Sequence, residues 1–234
     1  MRVGAAALVL AGGSGSRVGA DRNKVYLPVA GRSVLAWSVD ALAGAPGVGP
    51  VVLVVRPEDH VHVRRLLDHE VDHAVEVVDG GATRQASELA GLRALAGRIG
   101  AGEVDVVLVH DGARPLVGPA LVAEVLRVAR ASGGAVPGLV RTDLAVTDGT
   151  TLSAPVRLTA VQTPQGFRAA PLLAAYERAE AEGFAGTDTA SCVERFAPGL
   201  AVHAVPGDPR NIKVTYPHDV DVVAGALTGT RSVP

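Results

Sequence analysis

Residues 7–19 read ALVLAGGSGSRVG. An apolar run stops and gives way, between Ala11 and Gly19, to four glycines, two serines and an arginine. A buried strand that ends in a glycine-rich turn before a helix aims several backbone N–H groups one way, and such groups bind phosphate without side-chain help. Two familiar versions of the loop are missing. There is no G-x-x-x-x-G-K-[ST], and G-x-G-x-x-G fails because Gly13 and Gly15 are followed by Val18, with Gly19 one place late. The loop alone also admits the blander reading of a flexible turn.

Outward from the loop, Val-rich runs alternate with helical patterns. The runs at 5–11, 51–55, 74–78 and 104–110 lack the polar alternation of half-exposed strands and predict buried ones. Between them, Ser33 is placed to cap a helix burying Leu35, Val39 and Leu42, and Pro57 to open another. Leu89, Leu92, Leu95 and Ile99 share one helical face, and the helix after Pro119 runs out at a glycine. This βαβαβα order predicts an α/β domain with a Rossmann-like, mostly parallel sheet flanked by helices, its site at the carboxyl ends of the strands. After about residue 134 the pattern changes to turns with β-branched flanks. That predicts an antiparallel excursion from the sheet, a protruding β-arm over about 138–160. Helices return at 169–182 and 188–196, then a strand at 201–205 and a helix from Pro217. The expectation is a single domain over 1–230 with a frayed tail at 231–234.

Composition narrows the function classes. Of 234 residues 48% are hydrophobic but only 3% aromatic, so Ala, Val and Leu must fill the core. The net charge of −2 offers no bulk electrostatic case for nucleic acid or a membrane surface. No apolar run approaches the roughly 18 residues of a membrane helix, and no signal peptide is visible. The one cysteine, Cys192, rules out an internal disulfide framework, suits a reducing cytoplasm, and reads as a small core residue.

Two cations follow the glycine loop, Arg17 and Lys24, the latter in NKVYLPVAG. By themselves they suit either a triphosphate or solvent. Asp111 ends a predicted strand in VLVHDGARP, where a carboxylate can hold Mg²⁺ against phosphate oxygens or cap a turn. His110 has no second histidine at ligand spacing and no G-x-S-x-G elbow to serve, so it reads as structural.

Taken together, LAGGSGSRVG…NKVYLPVAG, VVDGGATRQASELAGL, VLVHDGARP, AVQTPQGF and GDPRNIKVTYPHDV resemble, in order and over essentially the whole chain, the sugar nucleotidyltransferases. They are most similar to the 2-C-methyl-D-erythritol 4-phosphate cytidylyltransferases of the non-mevalonate isoprenoid pathway. The resemblance implies a nucleotidyltransferase fold and transfer of a cytidylyl group from CTP to methylerythritol phosphate. A substrate phosphate oxygen attacks the α-phosphorus, pyrophosphate leaves, and the protein supplies positioning and charge neutralisation.

The resemblance also implies roles. Arg17 and Lys24 contact the triphosphate. Ala11, Gly12, Gly13, Ser14 and Gly15 cradle phosphates and base. Gly80, Gly81 and Ser87 approach cytosine and ribose, with Ala82 leaving base selection to main-chain groups. Asp111, beside Gly112, holds Mg²⁺, with Asp208 as a second carboxylate. Lys213 and Thr187 bind the acceptor phosphate, and Arg114 lines the site or pairs with Asp111. The arm departs from the family pattern: RTDLA (141–145) stands where Asp-Thr-Ile/Met-Lys is usual, and the arm arginine has two candidates, Arg157 and Arg141. In the family this arm reaches the partner subunit, which implies a homodimer. The altered arm keeps open another polyol phosphate, such as ribitol 5-phosphate, as acceptor; a non-catalytic nucleotide-binding protein is the remaining alternative.

Overall fold

The computed structural model describes residues 4–13, 23–143, 146–147, 152–153, 158–184, 186 and 188–229. In chain order these form β1 (Gly4–Leu10), a 3-10 turn (Lys24–Tyr26), β2 (Pro28–Val29), β3 (Arg32–Ser33), α1 (Val34–Ala43), β4 (Val48–Val55), a 3-10 turn (Pro57–Asp59), α2 (His60–His69), β5 (Val75–Asp79), α3 (Arg84–Gly100), β6 (Val104–Asp111) and α4 (Pro119–Ser132). There follow β7 (Gly133–Arg141), β8 (Val146–Thr147), β9 (Leu152–Ser153), β10 (Leu158–Val161), β11 (Gln165–Arg168), α5 (Ala169–Ala181), α6 (Thr189–Phe196), β12 (Ala201–Pro206) and α7 (Pro217–Leu227).

Period-2 alternation decides which helix covers which face. Ala5, Ala7 and Val9 of β1, with Val51 and Leu53 of β4, meet Leu35, Val39 and Leu42 of α1 and the inner faces of α2 and α4. Ala6, Leu8, Val52 and Val54 point the other way, onto Leu89, Leu92 and Leu95 of α3 and onto α5 and α6. Buried on both faces, β1 and β6 read as continuous apolar runs, as parallel strands in a covered sheet should. The predicted caps are present: the Ser33 hydroxyl accepts from Ala36 N at 3.2 Å, and Gly133 ends α4 at φ 120°, which disfavours any side chain.

The sheet order is β10-β7-β11-β6-β1-β4-β5, with β12 paired to β7. From β6 to β5 every pairing is parallel, so their carboxyl ends share one rim. Two expectations need correcting. The run at 74–78 is the sheet's edge strand, and none of its residues is buried: Val75, Val77 and Val78 are half-buried, Ala74 and Glu76 exposed. The segment from residue 134 does not leave the sheet at once: β7 lies inside it, parallel to β12 and antiparallel to β11. Only past Gly138 does it pair with β10 alone, Leu139–Arg141 against Leu158–Ala160, and β8 and β9 pair antiparallel with each other.

Candidate active site

Leu10 of β1 and Asp111 of β6 are register partners at the shared rim. The last turns of chain around them enclose a cavity of about 310 Å³. Gly12 and Gly13 form one wall, Gly81, Thr83 and Arg84 another, and Lys24, Asp111 and Lys213 face it as well. Asp111 is the one carboxylate among the described residues lining it.

Local bonding explains each placement. Lys24 opens a 3-10 turn capped by Asn23, whose amide donates to Ala11 O at 2.6 Å and reaches Asp59 Oδ2 at 3.4 Å. Asp59 is clamped by Arg56 through two bonds of 2.9 and 3.0 Å. Lys24 is thereby fixed against the start of the glycine loop. Gly80 and Gly81 turn from β5 into α3 so tightly that a Cβ on Gly81 would lie 2.5 Å from the Ala86 Cβ. The Ser87 hydroxyl donates to Thr83 O at 2.9 Å and to Gly81 O at 3.2 Å, holding that turn shut. Main-chain groups can therefore approach a flat ligand there.

Asp111 gathers three cations. Arg84 Nη1 donates to Oδ1 at 2.7 Å and Lys213 Nζ to Oδ2 at 2.7 Å, while Arg114 Nε stands 3.8 Å from Oδ2. Burial pushes the carboxyl up, but Arg84 and Lys213 outweigh it and hold the group well below the ordinary aspartate range. Arg84 is raised in turn: burial opposes its charge, and the carboxylates of Asp111 and Glu88 more than compensate.

Lys213 arrives by a chain of backbone contacts. Val214 N donates to Ala113 O at 2.8 Å, Arg114 Nη1 to Asn211 O at 2.7 Å, and the Asn211 amide to Thr163 O at 2.7 Å. Thr163, which precedes a cis proline, accepts from Asp111 N at 3.0 Å. The segments AVQTPQGF, VHDGARP and NIKVT thus form one bonded unit.

The other sequence candidates are placed as follows. Ala11 is buried behind the loop, donating to Val54 O at 2.8 Å. Gly112 lies behind Asp111, its N on Leu10 O at 2.9 Å and its carbonyl on the Ser38 hydroxyl at 2.9 Å. His110 is fully buried between Thr163 Oγ1 and Arg114 O, both at 3.2 Å, and burial lowers it to about 4, a neutral structural histidine. Cys192 is buried in the core. Asp208 does not line the cavity; its carboxylate accepts from Arg210 N at 2.8 Å, and its own N–H donates to Gln162. Arg141 is exposed and ion-paired with Asp143. Ser14, Gly15, Arg17, Arg157 and Thr187 lie outside the described residues. Arg84 was not singled out from sequence, although it stands in the quoted GGATRQAS motif.

A single carboxylate suits a divalent ion whose other ligands are phosphate oxygens and water, the usual arrangement for Mg²⁺. Among the described residues no cluster of three His, Cys, Asp or Glu side chains offers an all-protein cage. Donor chemistry therefore fits an ion that arrives with its phosphates.

Comparison with known proteins identifies the family of the chain. The family model for IspD, 2-C-methyl-D-erythritol 4-phosphate cytidylyltransferase, matches residues 5–228. Relatives carrying that same name include one from Geobacter metallireducens, 40% identical over 221 residues and spanning 92% of this chain and 93% of its own. Another, from Geotalea uraniireducens, is 41% identical over 239 residues, 97% of each chain. Among solved structures, the 4-diphosphocytidyl-2C-methyl-D-erythritol synthase of Anaerococcus prevotii is similar with TM-score 0.82 at 28% identity, covering 97% of this chain and 96% of that one. The 2-C-methyl-D-erythritol 4-phosphate cytidylyltransferase of Thermus thermophilus is similar with TM-score 0.68 at 31% identity, covering 95% and 98%.

Proposed function

Because the chain belongs to the 2-C-methyl-D-erythritol 4-phosphate cytidylyltransferase family, a family of CTP-dependent nucleotidyltransferases of isoprenoid precursor synthesis, we propose a division of labour among its residues. The observation that carries it is the cavity at the strand rim, where Lys24, Arg84 and Lys213 face one carboxylate, Asp111. An excess of positive charge in a walled pocket suits a ligand that brings several negative charges.

The main-chain groups of Gly12, Gly13, Ser14 and Gly15 hold the triphosphate, with Arg17 and Lys24 as its cations. Gly80, Gly81 and Ser87 take the nucleoside end, where the close turn leaves backbone groups to read the base edge. An oxygen of the acceptor's phosphate forms a bond to the α-phosphorus of CTP, and the bond from that phosphorus to the bridging oxygen of the β-phosphate breaks. Pyrophosphate leaves with the negative charge that Lys24 and Arg17 stabilise. No side-chain nucleophile is required; the residues position and neutralise. Lys213, with Arg114 behind it and Thr187 nearby in sequence to α6, receives the acceptor phosphate. Asp111 together with the nucleotide's phosphates would hold Mg²⁺, which supplies charge neutralisation there when bound.

The acceptor subsite is completed by an arm arginine, Arg157 or Arg141, from a second copy of the chain. Support for a homodimer comes from the β7–β10 hairpin: Val140 and Val161 lie diagonally on one face and are 57% and 51% exposed. No helix among the described residues is long and apolar enough to cross a membrane.

The test is pyrophosphate release from CTP and Mg²⁺ with methylerythritol phosphate and, in parallel, ribitol 5-phosphate. The RTDLA departure on the arm is the feature that favours the second acceptor. Turnover of methylerythritol phosphate is expected. Turnover of ribitol phosphate alone would reassign the substrate, and CTP binding without any product would point to a binding protein.

A further inference from the structure

The first turn of α3 faces two ways. Thr83, Arg84 and Ser87 line the cavity. Gln85 and Glu88, i and i+3 on the same turn and so neighbours, reach instead to the segment that joins α5 to α6. The Gln85 amide donates to Phe184 O at 2.7 Å and accepts from Gly186 N at 2.6 Å. One side chain therefore ties two backbone groups of that segment, as a neighbouring strand would. Gly186 is closely held: a Cβ there would lie 2.8 Å from Ser191 Oγ and 3.2 Å from Gln85 Oε1. Three residues on, the fully buried Thr189 donates its hydroxyl to Glu88 Oε1 at 3.1 Å, and Asp188 caps α6 through Ser191 N at 2.9 Å. Glu88 Oε1 also accepts from Arg84 Nε at 2.8 Å, and Arg84 holds Asp111.

We propose that Gln85 and Glu88 are positioning residues for the acceptor side of the site, tying Phe184, Gly186 and Thr189 to the first turn of α3 so that nucleotide and acceptor subsites are built off one helical turn. The inference rests on the reading that residues of this segment and Lys213 receive the acceptor phosphate. Gln85 is only half-buried, and its partners can turn to water when it is removed. Its loss should therefore loosen the segment without unfolding the core.

The decisive variant is Gln85→Ala in the full chain. Loss of two hydrogen bonds to the segment should raise KM for the polyol phosphate about tenfold. The Kd for CTP, measured by calorimetry without acceptor, and kcat at saturating acceptor should stay within about twofold. Hydrogen exchange of the 184–189 amides should quicken, while exchange in β1 and β6 is unchanged. Gln85→Glu, which can accept from Gly186 N but cannot donate to Phe184 O, should fall between wild type and Gln85→Ala, and it carries the test if the alanine variant does not fold. An acceptor KM within twofold of wild type, an equal loss of CTP affinity, or unchanged exchange at 184–189 would overturn the proposal. If the wild-type protein itself turns over no polyol phosphate, the functional reading fails, and the exchange measurement alone decides whether Gln85 positions the segment.

Discussion

Asp111 and Glu88 share one cation and are treated oppositely. Arg84 reaches Asp111 through Nη1 at 2.7 Å and Glu88 through Nε at 2.8 Å. Asp111 keeps an opening onto the cavity, its side chain 10% exposed, and has Lys213 and Arg114 as further cations. Glu88 is sealed at 1% exposure, and its remaining partners are neutral hydroxyls, those of Thr189 and Tyr176. The net result differs in sign. Asp111 is pushed below the ordinary range, whereas burial raises Glu88 despite Arg84 and both hydroxyls. A carboxylate with surplus cations and an open side can exchange one partner for an incoming ion or phosphate. A sealed carboxylate whose partners all belong to the fold can only hold its neighbours in place.

The largest expected break in the comparison is structural. Glu88→Ala would leave Thr189, Tyr176 and one side of Arg84 buried without their acceptor. Removing one partner of a buried pair costs about 3–5 kcal/mol, to be read as the shift in urea midpoint at pH 7. Asp111→Asn removes a buried charge whose cations keep an opening onto the cavity, and should cost less, about 1–3 kcal/mol. Equal losses for the two variants would erase the distinction.

The catalytic contrast runs the other way. Asp111→Asn should lower kcat by about a hundredfold or more, comparable to loss of a charge-organising group in other sites, with CTP still bound. A fall of less than about threefold would remove Asp111 from the machinery. Between these lies Arg84→Lys. A single ammonium cannot keep two carboxylates in the fixed fork that a guanidinium offers, so kcat/KM should fall about tenfold and stability by about 1 kcal/mol. A variant indistinguishable from wild type would show that the link between the two carboxylates is idle.

The sequence made the two carboxylates unequally visible. Asp111 stands at the end of an apolar run inside VHDGARP, where position and residue type both point to chemistry. Glu88 sits in the middle of a helical pattern that looks like any solvated face, and only the packing of α5 and α6 over α3 makes it buried. Gln85 is invisible for the same reason: its partners are about 100 residues away. Arg84 was in view but overshadowed by the glycines and serine around it. At the level of the fold, β1, β4 and β6 were legible because both faces are covered. The edge position of β5 was not, since an apolar run does not say how many neighbours it will have. The start of β7 was obscured by Gly133, Gly134, Pro137 and Gly138, residues that read as breakers yet lie in the sheet, all four paired with β12 and Gly134 also with β11. The hairpin of β2 and β3 is too short, two residues a side, to leave a periodic trace.

The smallest effect sharpens the comparison most, because it tests a sign. Asp111 binds protons more weakly in the folded chain than in the unfolded one. Its contribution to stability is therefore present above the ordinary aspartate value, about 3.9, and lost as pH falls below it. Glu88, raised by burial, binds protons more tightly when folded. It favours the fold when neutral, and that contribution fades as pH rises past the ordinary glutamate value of about 4.3. In wild type the two slopes oppose each other, each limited to one proton, or about 1.4 kcal/mol per pH unit. Asp111→Asn should flatten the loss of stability on acidification below about pH 4, while Glu88→Gln should make stability rise more steeply with pH above about 4.3. Urea midpoints measured from pH 3 to 7 give both slopes. If the two substitutions tilt the profile in the same direction, Arg84 does not divide a paired carboxylate from a strained one, and the contrast between an exchangeable and a sealed acid loses its electrostatic basis.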